Sequence, residues 1–149
     1  MERETFLDKE VGYKYTTSEM DISPEDVETI YTFLGDRETL FTDDDFAKSM
    51  ELDFKGKIVA GLFLMMMFGK LDMAMGYAYD AVLLGMDDIK FMAPAYVGDR
   101  LKVEGELLNK RTTSKGHVLV TWKWTLKNQD SEEIVTGVNT EMFAKSMVS

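Results

Sequence analysis

The feature of this sequence that most constrains its fold is the run IVAGLFLMMMFG, Ile58 to Gly69, which continues to about Met75. It is apolar on every face. Such a segment predicts a helix surrounded by protein rather than one lying on a surface. It is well short of the ~20 apolar residues that a membrane-spanning helix needs, and Lys57 and Lys70 bracket it. Gly61 stands near its start, where close backbone approach favours a residue without a Cβ. Met65, Met66 and Met67 supply flexible side chains that fill irregular space, so packing is their first expected use.

What surrounds the helix is legible downstream. Leu101–Arg111, His117–Lys127 and Ile134–Lys145 are separated by the turn sequences TTSKG and NQDSEE, and VTWKWTLK shows partial alternation of the strand period. Two shorter runs, Ala81–Leu84 and Ile89–Met92, precede a proline–glycine turn over Ala93–Asp99. Upstream, Gly12–Ile22 has the aromatic and threonine content of an extended segment. In SPEDVETIYTFLGD, Ser23 is suited to an N-cap, Pro24 to the first helical position and Gly35 to the end. A second short helical patch is expected around Asp44–Met50. The order is strand, short helices, one buried helix, then a meander of long strands. An α+β hotdog fold, an antiparallel sheet wrapped around one central buried helix, satisfies all of it in a single domain over residues 1–149. One such sheet leaves an open edge and an exposed face, so a homodimer or higher homo-oligomer is expected.

Charge and composition narrow the function classes. The formal charge is −10, which argues against nucleic acid and anionic membrane as partners. There is no cysteine, hence no disulfide framework, no thiolate nucleophile and no cysteine-type zinc site. That composition suits a cytoplasmic location. The N-terminal MERETFLDKEVG is charged, and no signal peptide is expected from it. His117 is the lone histidine; it opens a strand after a turn and reads as a turn-flanking polar residue. Carboxylates without a clustered histidine or cysteine make a poor transition-metal cage, so no metal and no resident cofactor are expected.

The stretch GDRETLFTDDDFA, Gly35 to Ala47, places five acidic residues around Leu40 and Phe41. It resembles the pattern G-D-x-N-P-x-H-x-D-x-x-F-A of the MaoC-like hotdog proteins, the group that includes (R)-specific enoyl-CoA hydratases and related acyl-thioester dehydratases. FKGKIVAGLF, Phe54 to Phe63, is similar to the family's F-G-x-x-I-V-H-G-L. IKFMAPAYVGDRL, Ile89 to Leu101, is similar to its strand, proline turn and G-D-T-L, and NQDSEEIV, Asn128 to Val135, adds a weaker match. The likeness runs from about Ser23 to Ala144. Each motif alone is weak; their order and spacing together are fairly specific.

The resemblance implies a definite chemistry. Hydrating an enoyl thioester requires a base to activate water, an acid to protonate the α-carbon, and donors for the thioester oxygen. In the family an Asp and a His five residues later handle the water, and a backbone N–H at the start of the central helix polarises the carbonyl. The Asp position falls on Asp36. The His position falls on Phe41, which cannot carry a proton. The Asn-Pro pair falls on Glu38 and Thr39, and the His of the His-Gly pair on Ala60, while its Gly is kept as Gly61. The resemblance therefore implies Asp36 and the Gly61 amide as the catalytic set, and the spacing of two adds Glu38, which on an extended loop points the same way as Asp36, as a second candidate carboxylate. Phe41, Ala60, Leu62 and Met65 are the implied substrate-binding residues.

Plainer readings stand beside these. Asp36 serves equally as a loop carboxylate bonded to backbone N–H groups, Glu38 as a solvated acid, Phe41 as core, and Asp43–Asp45 as the acidic first turn of a short helix. The ligand expected is an acyl-CoA or acyl-carrier thioester. Three functions follow from the resemblance: a hydratase-type protein with impaired or altered catalysis, an acyl-CoA thioesterase, and a non-catalytic acyl-binding subunit of a hotdog assembly.

Overall fold

The computed structural model describes residues 4–35 and 38–148. Its elements, in chain order, are the short strands β1 (Lys14–Thr16) and β2 (Met20–Asp21), the helices α1 (Pro24–Leu34), α2 (Thr39–Thr42), α3 (Asp44–Ser49) and α4 (Gly61–Met75), and the strands β3 (Val82–Phe91), β4 (Arg100–Thr112), β5 (Val118–Lys127) and β6 (Glu133–Phe143). The sheet runs β1-β4-β5-β6-β3, with β2 pairing β4 beside β1. Every pairing is antiparallel. A six-stranded antiparallel sheet curved around α4 is the expected hotdog arrangement.

Local chemistry accounts for the elements. The Ser23 Oγ accepts the Asp26 N–H at 3.1 Å and Pro24 occupies the first turn of α1, while Gly35 ends it at φ 70°. Asp43 caps α3 by accepting the Phe46 N–H at 3.0 Å, and Asp44 and Asp45 complete its acidic first turn. The short helix α2 lies in the stretch read as an acidic loop. The expected extended segment Gly12–Ile22 is broken into β1 and β2. Ala81–Leu84 and Ile89–Met92, read as two runs, are parts of the one strand β3. That strand carries register shifts between Leu83 and Gly85 and between Asp87 and Lys90, with Asp88 at φ 54°, and these interrupt the alternation that reveals a strand.

The core sits between α4 and the concave face of β4–β6. Phe63, Leu64, Met67, Phe68 and Leu71 are buried on the sheet side of α4, and Phe68 stacks on Trp124 with ring centroids 3.7 Å apart. The expectation that α4 is buried on all sides needs correction. Leu62, Met66 and Met73 are 57%, 50% and 83% exposed, because the sheet covers one flank of the helix and leaves an apolar strip uncovered. β4 meets β1 through a glycine: a Cβ on Gly105 would lie 2.4 Å from the Tyr15 ring, so glycine lets that ring lie against the strand. Among the described residues no helix is long and apolar enough to cross a membrane.

Candidate functional site

The amino end of α4 is built by three neighbours. Ala60 is its N-cap, and the cap residue has no side chain to bond the first turn, so the positive end of the helix dipole carries no carboxylate from the cap residue. The Ala60 N–H itself donates to the Tyr31 Oη of α1 at 2.9 Å, in a buried position. The preceding residue, Val59, donates its N–H to the Ala95 carbonyl at 2.8 Å, which pins the approach to the helix against the proline turn. Gly61 opens the helix beneath Phe91, the last residue of β3; a Cβ at Gly61 would stand 3.0 Å from that ring. A side chain there would press on the Phe91 ring, so close packing gives glycine a reason at this position whatever its amide does.

The sequence-predicted residues fall into separate places. Asp36 lies outside the described residues. Glu38 is the exposed N-cap of α2 and bonds through its backbone carbonyl to the Phe41 N–H at 2.9 Å. Phe41 sits 6.0 Å, centroid to centroid, from Tyr31. It lines a cavity of about 250 Å³ together with Tyr31, Lys57, Ile58 and Val59. That cavity is also walled by the segment leading into α4, through Val59, whereas neither Ala60 nor Gly61 lines it. Ala60 is packed in the core, at 2% exposure, and Leu62 faces outward. Met65 is turned to the other side of the helix, where it borders a second and larger cavity. His117 is remote from all of these: its Nδ1 accepts the Lys145 N–H at 2.9 Å near the chain's C-terminal end. Among the described residues no group of His, Asp or Glu could hold a metal ion.

The larger cavity, about 660 Å³, lies between the C-terminal half of α4 and strands β3 and β6. Its polar wall was not anticipated from the sequence. On α4, Asp72 Oδ1 accepts the Tyr15 hydroxyl at 2.8 Å. On β6, Glu141 Oε2 accepts the Trp122 Nε1–H at 3.1 Å, and Asn139 Oδ1 accepts the Trp124 Nε1–H at 2.9 Å. Burial raises the Asp72 carboxyl from its ordinary 3.8 to about 6, against the lowering effect of the Tyr15 hydrogen bond. Burial likewise raises Glu141 from 4.5 to about 7; the Trp122 bond opposes the rise and the nearby Asp72 charge adds to it. Burial first, then the Asp72 charge, push the Tyr15 hydroxyl far above its usual range, so it stays a donor. One signal was available: Asn139 and Glu141 occupy inward positions of an alternating strand, between Gly137 and Phe143, where apolar residues are the rule.

Comparison with known proteins agrees with this architecture. Residues 7–128 match the MaoC like domain family. No curated protein matches the chain by sequence. Among solved structures, the chain is similar to a monoamine oxidase regulatory protein from Archaeoglobus fulgidus at 23% identity, TM-score 0.80, covering 95% of this chain and 94% of that one. It is similar to an unliganded R-hydratase from Pseudomonas aeruginosa at 26% identity, TM-score 0.65, covering 94% and 85%. It is also similar to a (3R)-hydroxyacyl-ACP dehydratase complex from Mycobacterium tuberculosis at 13% identity, TM-score 0.73, covering 93% and 100%. The family match spans most of the chain, and the curved antiparallel sheet around one central helix agrees with it: this chain belongs to the MaoC-like domain family.

Proposed function

We propose that this protein binds acyl thioesters, acyl-CoA in the first place, in the manner of the (R)-enoyl-CoA hydratases, with the thioester carbonyl at the Gly61 amide and without the histidine-assisted water activation of that group. The observation that carries the reading is Phe41. Its ring shares a cavity with Tyr31 and the segment leading into α4, at the place where the family pattern has its proton-carrying histidine. An apolar ring there favours an acyl chain and cannot move a proton, and losing one member of a two-residue acid–base unit removes most of the unit's benefit. Asp36 and Glu38 are the carboxylates left to the loop. If water is activated at all, Asp36 is the base, and Gly61 with the α4 dipole holds the developing negative charge on oxygen.

Titration calorimetry with butyryl-CoA tests binding, and crotonyl-CoA hydration tests catalysis. The expected result is micromolar to millimolar binding that persists in Asp36→Asn, with slow hydration or none. Phe41→His is expected to raise hydration above the parent. Absence of any acyl-CoA binding refutes the reading. Release of free CoA from saturated acyl-CoAs, abolished in Asp36→Asn, would favour a thioesterase instead.

A second copy of the chain is the expected partner. The outer side of β3 is a free edge of ten residues whose Val82, Leu83, Leu84 and Phe91 are all about half exposed. Such an edge is stable in water when another strand covers it. The apolar strip Leu62, Met66 and Met73 on α4 is also open. Light scattering is expected to give a dimer, and Leu84→Lys a shift toward monomer.

A further inference from the structure

The 660 Å³ cavity opens where a second copy is expected. Its walls include Met66 and Met73 of the exposed α4 strip, and Leu83 and Met86 of the edge strand β3. Its charged groups are all of one sign. Asp72 reaches it from α4, Glu141 from β6 and Asp80 from the connection between α4 and β3; Tyr79 is its other titratable group, and among the described residues no lysine, arginine or histidine lines it. Asp72 and Glu141 are each anchored through one oxygen: Asp72 Oδ1 accepts the Tyr15 hydroxyl of β1, and Glu141 Oε2 accepts the Trp122 indole N–H of β5. The second oxygen of each has no hydrogen-bond partner among the described residues. No unpartnered polar atom among the described residues is sealed in the interior, so solvent reaches these two oxygens through the cavity.

A second copy joined at β3 roofs this cavity without bringing a base to it. Edge-to-edge pairing extends a sheet and keeps each face on its own side. Leu83 pairs with Glu141 and Met86 with Asn139, on the inward face, whereas Lys90, the one base of β3, pairs with Thr136 on the outward face. Lys70, the one base of α4, bonds Asp26 of α1 at 3.4 Å and does not line the cavity. We infer that two copies associating through β3 and the α4 strip take up protons at Asp72 and Glu141, so that the dimer tightens as pH falls. The inference rests on the dimer reading given above and is independent of thioester binding. A carboxylate stripped of water with no counter-charge takes a proton rather than stay ionised. Burial already holds Asp72 at about 6 and Glu141 at about 7 in the single protomer; the Tyr15 and Trp122 bonds oppose the rise, and the Asp72 charge adds to that of Glu141. Covering the cavity acts in the same direction as burial. The covered state then favours the protonated acids, so association is strongest below the single-protomer values and weakens as pH climbs through them. Each proton taken up changes the association constant about tenfold per pH unit.

The test uses the full chain at pH 6 and pH 8 and one ionic strength. Sedimentation across a dilution series gives the dissociation constant, and mixing two fluorescently labelled pools gives the rate of subunit exchange. The expected result is a dimer whose dissociation constant is at least tenfold higher at pH 8, with faster exchange. That difference is expected to shrink below threefold in Asp72→Asn/Glu141→Gln and to persist in His117→Gln, which removes the only histidine. A dimer equally tight at both pH values, one tighter at pH 8, one that does not exchange at pH 8, or a double variant with the parent's pH dependence overturns the inference and leaves the dimer standing. A monomer at both pH values overturns both. Dilution calorimetry of the parent at pH 7, in phosphate and in Tris, counts the protons directly. Dissociation is expected to release at least about one proton per dimer, and release of none overturns the inference even where the double variant fails to fold.

Discussion

Glu141→Gln is the substitution from which the structure predicts most. Glu141 lies on an inward position of β6, 7% exposed, with only the Trp122 indole N–H as a fixed donor. Its carboxyl is raised from 4.5 to about 7, chiefly by burial and further by the Asp72 charge. An acid whose pKa is higher folded than unfolded favours folding when protonated; that advantage is complete below the unfolded value and lost as pH climbs through the folded one. Each pH unit between the two values is worth about 1.4 kcal/mol. The gap between 4.5 and about 7 therefore corresponds to roughly 3 kcal/mol lost from pH 4 to pH 8. Glutamine has nearly the same shape, keeps an acceptor for Trp122 and does not ionise. At pH 4.5 the variant and the parent are expected to have nearly equal stability. At pH 8 the variant is expected to be more stable by roughly 1–3 kcal/mol. Urea unfolding followed by tryptophan fluorescence, at one protein concentration, measures this because Trp122 and Trp124 are both core residues. A variant less stable than the parent at pH 8, or offset by the same amount at both pH values, refutes the reasoning.

Other expectations follow from single contacts. Tyr31→Phe removes the acceptor of the buried Ala60 N–H and is expected to cost about 1–3 kcal/mol in chemical denaturation; a loss below a few tenths would mean that water replaces the hydroxyl. Gly105→Ala drives a methyl to 2.4 Å from the Tyr15 ring, with an expected cost of about 1–3 kcal/mol and loss of the ring's alignment with Asp72, visible in the tyrosine NMR shifts. Ser23→Ala deletes the α1 cap and is expected to lower stability by about 1 kcal/mol, measured by thermal melts. Phe68→Ala removes the ring stacked on Trp124, an expected loss of roughly 3–5 kcal/mol that calorimetric unfolding would report.

Much of the fold was legible in the chain, for local reasons. Ser23, Pro24 and Gly35 announce α1 because capping and dihedral preferences act within a few residues. The three long strands announce themselves by length and the turns between them, and the apolar run from Ile58 announces a helix that the sheet must cover. The family motifs implied one region for Gly61 and Phe41; in the structure Phe41 shares a cavity with Lys57, Ile58 and Val59, the residues that lead into α4. β3 was read as two pieces because its register shifts break the strand period. The outward strip of α4 was read as buried because hydropathy says that a face is apolar, and the sheet's extent decides whether it is covered.

The carboxylate pair is the clearest case of what required three dimensions. Asp72 ends a helix run that reads as core, and Glu141 lies in a strand that reads as amphipathic; they are 69 positions apart in the chain. The sequence by itself determined the helix, the strands, the negative charge and the missing histidine, since each depends on neighbours along the chain. Which acids face each other, how far burial raises them and where a cavity opens were decided by tertiary structure alone. Desolvation and Coulomb energies depend on distance through space, and folding sets those distances.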